Sequence, residues 1–185
     1  MKDLALHILD IAQNSITAGA TLVELTVDEN LPGNRIGITI KDNGKGIEPK
    51  MLAQVTDPYV TSRTTRKVGL GLPLFRHNAE QTGGSLAIRS KVGVGTEVEA
   101  VFYADHIDLP PWGDLSGVII LLVSANPTLD FQYFHRAKAG EYIFDTRAIK
   151  TELDDVAIDE PEVRKFLKEM LMGNLEEIEA VGSRK

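Results

Sequence analysis

The chain contains no cysteine, so it can hold no disulfide framework, no thiolate metal site and no thiol nucleophile. Its four histidines are scattered and do not substitute for one. No run of about eighteen apolar residues occurs: the longest, Val118 to Val123, is only strand length. The opening Met1-Lys2-Asp3 carries no signal-peptide pattern, so a soluble, cytoplasmic protein without a membrane partner is expected. Basic residues are also in deficit, 20 against 27 acidic, for a net charge of -7. Residues 1–104 hold 11 of each sign, which places the whole acidic excess in residues 105–185. With no basic face to displace phosphate counterions, general nucleic-acid binding is excluded.

At 185 residues the chain can bury one substantial core and a small appendage. The acidic shift coincides with Asp108-Leu109-Pro110-Pro111-Trp112-Gly113, which cannot continue a sheet interior. The expected division is residues 1–105 as the main domain and 106–185 as a small acidic extension packing on it. Within the extension, Gly117 to Ser124 reads as a buried strand, Tyr133 to Lys150 as a hairpin around Ala139-Gly140, and Pro161 as the first turn of a final helix. Ile119–Val123 and Tyr142–Ile149 are expected to add strands to the sheet edge.

Four short stretches in the first hundred residues carry the chemistry. Residues 3 to 18 have apolar groups at Leu4, Ile8, Ile11 and Ser15 on one line and Ala5, Leu9, Ala12 and Ile16 on the next, which predicts a helix with a broad buried face. Asp10 and Asn14, at i and i+4, project together from its side. Strands are expected over Thr21–Asp28 and Arg35–Lys41, so Asp42-Asn43-Gly44-Lys45-Gly46 lies where a strand ends. A carboxylate there can accept from an exocyclic amine such as that of adenine, while glycines let the backbone pass beneath a flat ring; a plain Asn-Gly turn is the alternative. Gly69-Leu70-Gly71-Leu72 opens a helical pattern ending at Gly83-Gly84, and backbone N–H groups at such a helix start are free for phosphate oxygens. Last comes Gly93-Val94-Gly95-Thr96. Neither a P-loop nor a dinucleotide fingerprint is present, so the pocket is of another kind.

Taken in order, these stretches resemble the boxes of the GHKL superfamily of gyrase, heat-shock chaperone ATPases, histidine kinases and mismatch-repair ATPases. Residues 8–20, with Asp10 and Asn14, resemble the N box in its mismatch-repair wording. Asp42 to Gly46 resembles the first glycine box, Asp57-Pro58-Tyr59-Val60-Thr61-Ser62-Arg63 the F box of histidine kinases, and Gly69 to Leu72 the second glycine box. Gly83-Gly84-Ser85-Leu86 with Gly93 to Thr96 resembles the histidine-kinase ending.

The resemblance covers about residues 3 to 104. It implies an α+β fold, a two-layer α/β sandwich (the Bergerat ATP-binding fold) with a mixed sheet backed by helices and, here, a small C-terminal α/β extension. It further implies ATP and Mg²⁺ as ligands, with Asn14 binding the metal and Asp42 holding the adenine amine, helped through water by Thr96. Gly44, Gly46 and Ile47 would line the base, while Gly69, Leu70, Gly71 and Leu72 would meet the phosphates. Residues 56–68 would form a lid, with Thr61, Arg63 and Lys67 among the nucleotide-binding residues. Asp10 stands where hydrolysing members carry a Glu general base; its shorter side chain sets the carboxylate back by roughly an ångström, a displacement that can cost about a hundredfold in rate.

Thirteen residues precede Asn14, too few for a phosphoacceptor hairpin, and His7 reads as a packing or solvent residue rather than a phosphoacceptor. The residues after the last box are too few for a large ATP clamp. The expectation is a regulatory, histidine kinase-like ATPase module that transfers or hydrolyses the γ-phosphate in connection with a separate partner protein. The alternative is a non-catalytic ATP-dependent switch or scaffold. Partner docking or homodimer formation through the C-terminal segment is weighed against folding back onto its own domain.

Overall fold

The computed structural model describes residues 3–55 and 71–181. Its first helix, α1 (Leu4–Thr17), begins where Asp3, in extended conformation, caps it by accepting from Leu6 N at 2.8 Å. The buried residues of α1, Leu4, Ala5, His7, Ile8, Ile11, Ala12 and Ser15, follow the helical period and point at the sheet and the neighbouring helices.

Strands β1 (Leu22–Leu31) and β2 (Arg35–Asp42) form an antiparallel pair with Val23 opposite Asp42. After α2 (Pro49–Val55) and α3 (Gly71–Gln81) come β3 (Ser85–Lys91) and β4 (Gly95–Tyr103), and β4 lies antiparallel to both β2 and β3. The chain continues through α4 (Leu115–Ala125), β5 (Asp130–Ala137), β6 (Gly140–Asp145), α5 (Thr146–Leu153) and α6 (Pro161–Glu177). Among the described residues the six strands make one sheet in the order β3-β4-β2-β1-β5-β6, and β1 and β5 run parallel within it. The sheet is therefore mixed, and the helices cover one of its faces, as expected of a two-layer α/β sandwich.

Strand alternation decides which side chains enter the core. Val23, Leu25 and Val27, Ile36, Ile38 and Ile40, Val98, Ala100 and Phe102, and Phe131 and Tyr133 are buried. Their neighbours face out and pair across strands: Lys41 with Glu24 at 3.1 Å, Arg89 with Glu97 at 2.5 Å and Arg136 with Asp28 at 3.1 Å. Such cross-strand charge pairs suit an open sheet face.

Two expectations for the extension are corrected. Residues Gly117 to Ser124, expected as a strand, form the body of α4. Asp114 starts this helix by accepting from Gly117 N at 2.8 Å, and α4 is wedged between α1 and α6, so its apolar run is buried on most sides. A sequence apolar all round has no period by which helix and strand can be told apart. Likewise β6 ends at Asp145, which caps α5 by accepting from Arg147 N, so residues 146–149 are helical rather than an edge strand. The hairpin of β5 and β6 and the helix at Pro161 match the expectation.

The C-terminal segment is stitched to the sheet by a buried polar chain. Glu29 of β1 accepts from Val181 N through both carboxylate oxygens at 3.0 Å and contacts His135 Nε2 at 2.8 Å. His135 Nδ1 in turn meets the Tyr133 hydroxyl, and Trp112 packs over the ring. Burial, with the nearby Glu29 charge, pushes the Tyr133 phenol well above its ordinary pKa and keeps it a neutral partner.

Candidate functional site

The site forms where the C-terminal end of β2 meets α1 and the start of α3. Asp42, the last residue of β2, is 9% exposed. Its Oδ2 accepts from the Ser15 hydroxyl at 2.7 Å and its Oδ1 from Gly44 N at 2.8 Å. Both oxygens keep a further lone pair, so the carboxylate is held in a fixed orientation and still able to accept. Ser15 was not among the expected site residues. Its signal lay in the sequence as a hydroxyl on the apolar line of α1, where a buried polar group needs a partner.

Beyond Asp42, a set of short bonds shapes the glycine loop. Asn43 accepts from Thr21 N and Leu22 N, at 2.9 and 3.0 Å, and donates to the Thr21 hydroxyl, which makes it a brace for the start of β1. Lys45 N donates to the Ala18 carbonyl and Gly93 N to the Lys45 carbonyl. Gly46 has φ +72°, and a Cβ there would fall 2.3 Å from the Lys91 carbonyl oxygen, so the loop can pass β3 this closely only with glycine. Ile47 N donates to Ser90 Oγ at 2.8 Å; Ser90 donates to the Gly95 carbonyl and bonds with the Thr96 hydroxyl at 2.9 Å. Thr96 stands opposite Asp42 in the β2–β4 register. Ser90 is thus a second residue that sequence reasoning missed, and nothing in its local pattern, on an edge strand, marks it.

On α1, Asp10 and Asn14 are both half-buried and one turn apart. Asp10 Oδ2 is fully buried and makes no hydrogen bond among the described residues. It lies against Gly71, the first residue of α3: a Cβ at that position would sit 1.8 Å from this oxygen. Leu72 follows, buried in the core.

His7, one turn before Asp10, is fully buried as a packing residue. It stacks on Phe75 with centroids 5.1 Å apart, and its Nε2 lies 2.8 Å from Asn78 Nδ2. Burial lowers its pKa from 6.5 to about 4, so the ring is neutral and Nε2 accepts the Asn78 amide proton.

At the end of β2 the structure thus links Asp42, Gly44 and Thr96, with Ile47 joined through Ser90 and Gly46 against Lys91. Ser15 ties Asp42 to α1, which carries Asn14 and Asp10, and Gly71, followed by Leu72, lies against Asp10. Thr61, Arg63, Lys67, Gly69 and Leu70, and the expected lid at 56–68, lie outside the described residues. No cluster of three or more His, Asp or Glu side chains able to hold a metal occurs among the described residues.

A mixed sheet backed on one face by helices, with a braced carboxylate at a strand end beside a helix-borne Asp and Asn, defines a GHKL-type domain. The chain belongs to the family of histidine kinase-, DNA gyrase B-, and HSP90-like ATPases, which matches residues 2–106. It is similar to the sensor histidine kinase ZraS of Salmonella typhi, 35% identical over 89 residues that make up 48% of this chain and 19% of that protein. Sporulation kinase D of Bacillus subtilis (strain 168) is 35% identical over 91 residues, 49% of this chain and 18% of the kinase. The matched segment thus spans less than a fifth of either relative. Among solved structures, the N-terminal domain of a DNA repair protein superposes with a TM-score of 0.54 at 15% identity, covering 77% of this chain and 52% of that one, which shows a shared fold. None of the described helices is long and apolar enough to cross a membrane.

Proposed function

We propose that the domain binds Mg²⁺-ATP at the mouth between α1, the end of β2 and the start of α3, and that it serves as a regulatory module acting on a separate partner protein. The observation that carries this reading is Asp42, a buried carboxylate whose two oxygens are oriented by Ser15 and Gly44 while lone pairs remain for an exocyclic amine. Gly44, Gly46 and Ile47 supply the floor on which a base would lie. Thr96, held by Ser90, supports the same edge. Gly71 and Leu72 begin α3, where free N–H groups and the helix dipole suit phosphate oxygens.

Magnesium fits this donor set in its usual manner. It favours phosphate oxygens and water with few protein ligands, and Asn14 can supply a single amide oxygen. When bound, the ion would neutralise charge building on the transferred phosphoryl group. Asp10, whose buried oxygen makes no hydrogen bond among the described residues, can take a proton from an attacking water or hydroxyl. A non-catalytic switch is the second reading, favoured by the way this carboxylate ends against Gly71. Incubation with γ-labelled ATP, alone and with candidate partner proteins, separates the two: free phosphate or labelled partner, lost in Asp10→Asn with ATP affinity retained, is the expected result. Silent binding would leave only the switch, and absence of ATP binding would overturn both.

A further inference from the structure

His7 is an unusual choice for its place. The ring is completely buried, its Nδ1 makes no hydrogen bond of standard geometry among the described residues, and a leucine would fill the same space without desolvating a polar group. What an aliphatic side chain could not do is reach α3 at three levels. The ring faces the Gly71 backbone at the first residue of that helix, stacks on Phe75 one turn later, and accepts a hydrogen bond from Asn78 in the turn after that. These contacts resist both rotation of α3 about its axis and sliding along α1, because a ring stack and a directed hydrogen bond are lost together by either motion.

The consequence falls on the next turn of α1. Asp10 stands three residues after His7, on the same side, and its Oδ2 occupies the space where a side chain at Gly71 would begin. There is no slack between this carboxylate and the start of α3. Moving α3 one way would drive Gly71 into Asp10; moving it the other would withdraw its N-terminal N–H groups from the site.

We propose that His7 is a positioning residue for the phosphate end of the site, holding the start of α3 at a fixed distance from Asp10. The role rests on the reading of the site as an ATP pocket, and it is distinct from base recognition, which depends on Asp42 at the end of β2.

The test is calorimetric titration of the full chain, His7→Phe, His7→Gln and Asn78→Leu with ATP, ADP and adenosine. His7→Phe keeps an aromatic stack and removes both ring nitrogens. It should lose about tenfold or more in affinity for ATP and ADP, the factor attached to misaligning one hydrogen bond to a charged group, while adenosine affinity changes by less than about twofold. Asn78→Leu should shift the same way, and His7→Gln, which retains an acceptor for Asn78, should recover part of the loss. Equal losses for adenosine and ATP would mark His7 as merely structural and overturn the proposal, as would unchanged ATP affinity in the folded variants. If His7→Phe does not fold, Asn78→Leu decides by the same ratio. Failure of the unmodified chain to bind ATP would overturn the pocket reading and this role together, whereas binding with an unchanged ATP-to-adenosine ratio would overturn this role alone.

Discussion

Acidification should reveal the cost of burying His7 between α1 and α3. The folded ring, fully buried, titrates at about 4 instead of 6.5, and burial is the largest cause. Above the unfolded value neither state carries the proton, and the ring contributes nothing to pH dependence. Below it the unfolded chain binds a proton that the folded chain refuses, so stability falls with pH until the folded value is reached. Each unit corresponds to about 1.4 kcal/mol; the loss is therefore about 2 kcal/mol at about pH 5 and about 3 kcal/mol at about pH 4. Other groups titrate over the same range, but His7→Phe leaves them in place, so the difference between the two proteins isolates this ring. Urea denaturation at several pH values should show the native chain losing about 2 kcal/mol more than the variant between about pH 7 and about pH 5. Parallel profiles would refute the reasoning, because they would mean that His7 is protonated alike in both states.

Asp42→Asn should lower ATP affinity by about tenfold or more while costing about 1 kcal/mol in stability, since the Ser15 hydroxyl can turn to accept from the new amide; calorimetry and thermal melting check the two parts, and unchanged affinity would remove Asp42 from the site. Gly46→Ala should destabilise by about 2 kcal/mol or more, through the left-handed backbone and the 2.3 Å approach to the Lys91 carbonyl oxygen. A melting temperature equal to that of the native chain would show that the loop has room to move away from β3.

Where the sequence was legible, one face of an element was buried and the other was not. The apolar lines of α1, the alternation of Ile36, Ile38 and Ile40, and the glycines before α3 each announced an element and its direction. By the resemblance, the ordered boxes assign Asp10, Asn14 and Asp42 to one mouth; in the structure Asp42 meets Ser15 on α1, the helix that also carries Asp10 and Asn14. α4 was misread because its environment is apolar nearly all round, and that environment comes from α1 and α6, far away in the chain. Residues 146–149 were misread because the Asp145 cap, worth more locally than strand propensity, is only one of several turn-forming uses of Asp.

By itself the sequence determined the family, the order of the boxes and the chemical types available at the mouth, because each depends on residue identity and local spacing. Only the tertiary structure decided how those groups are held. That Ser15 orients Asp42, that Ser90 supports Thr96, that Asp10 ends against Gly71 and that His7 spans α3 are contacts between residues 6 to 71 positions apart and between separate elements. Such contacts depend on the packing of α1 against both the sheet and α3, and helical or strand periodicity shows which face is buried without showing what it meets there.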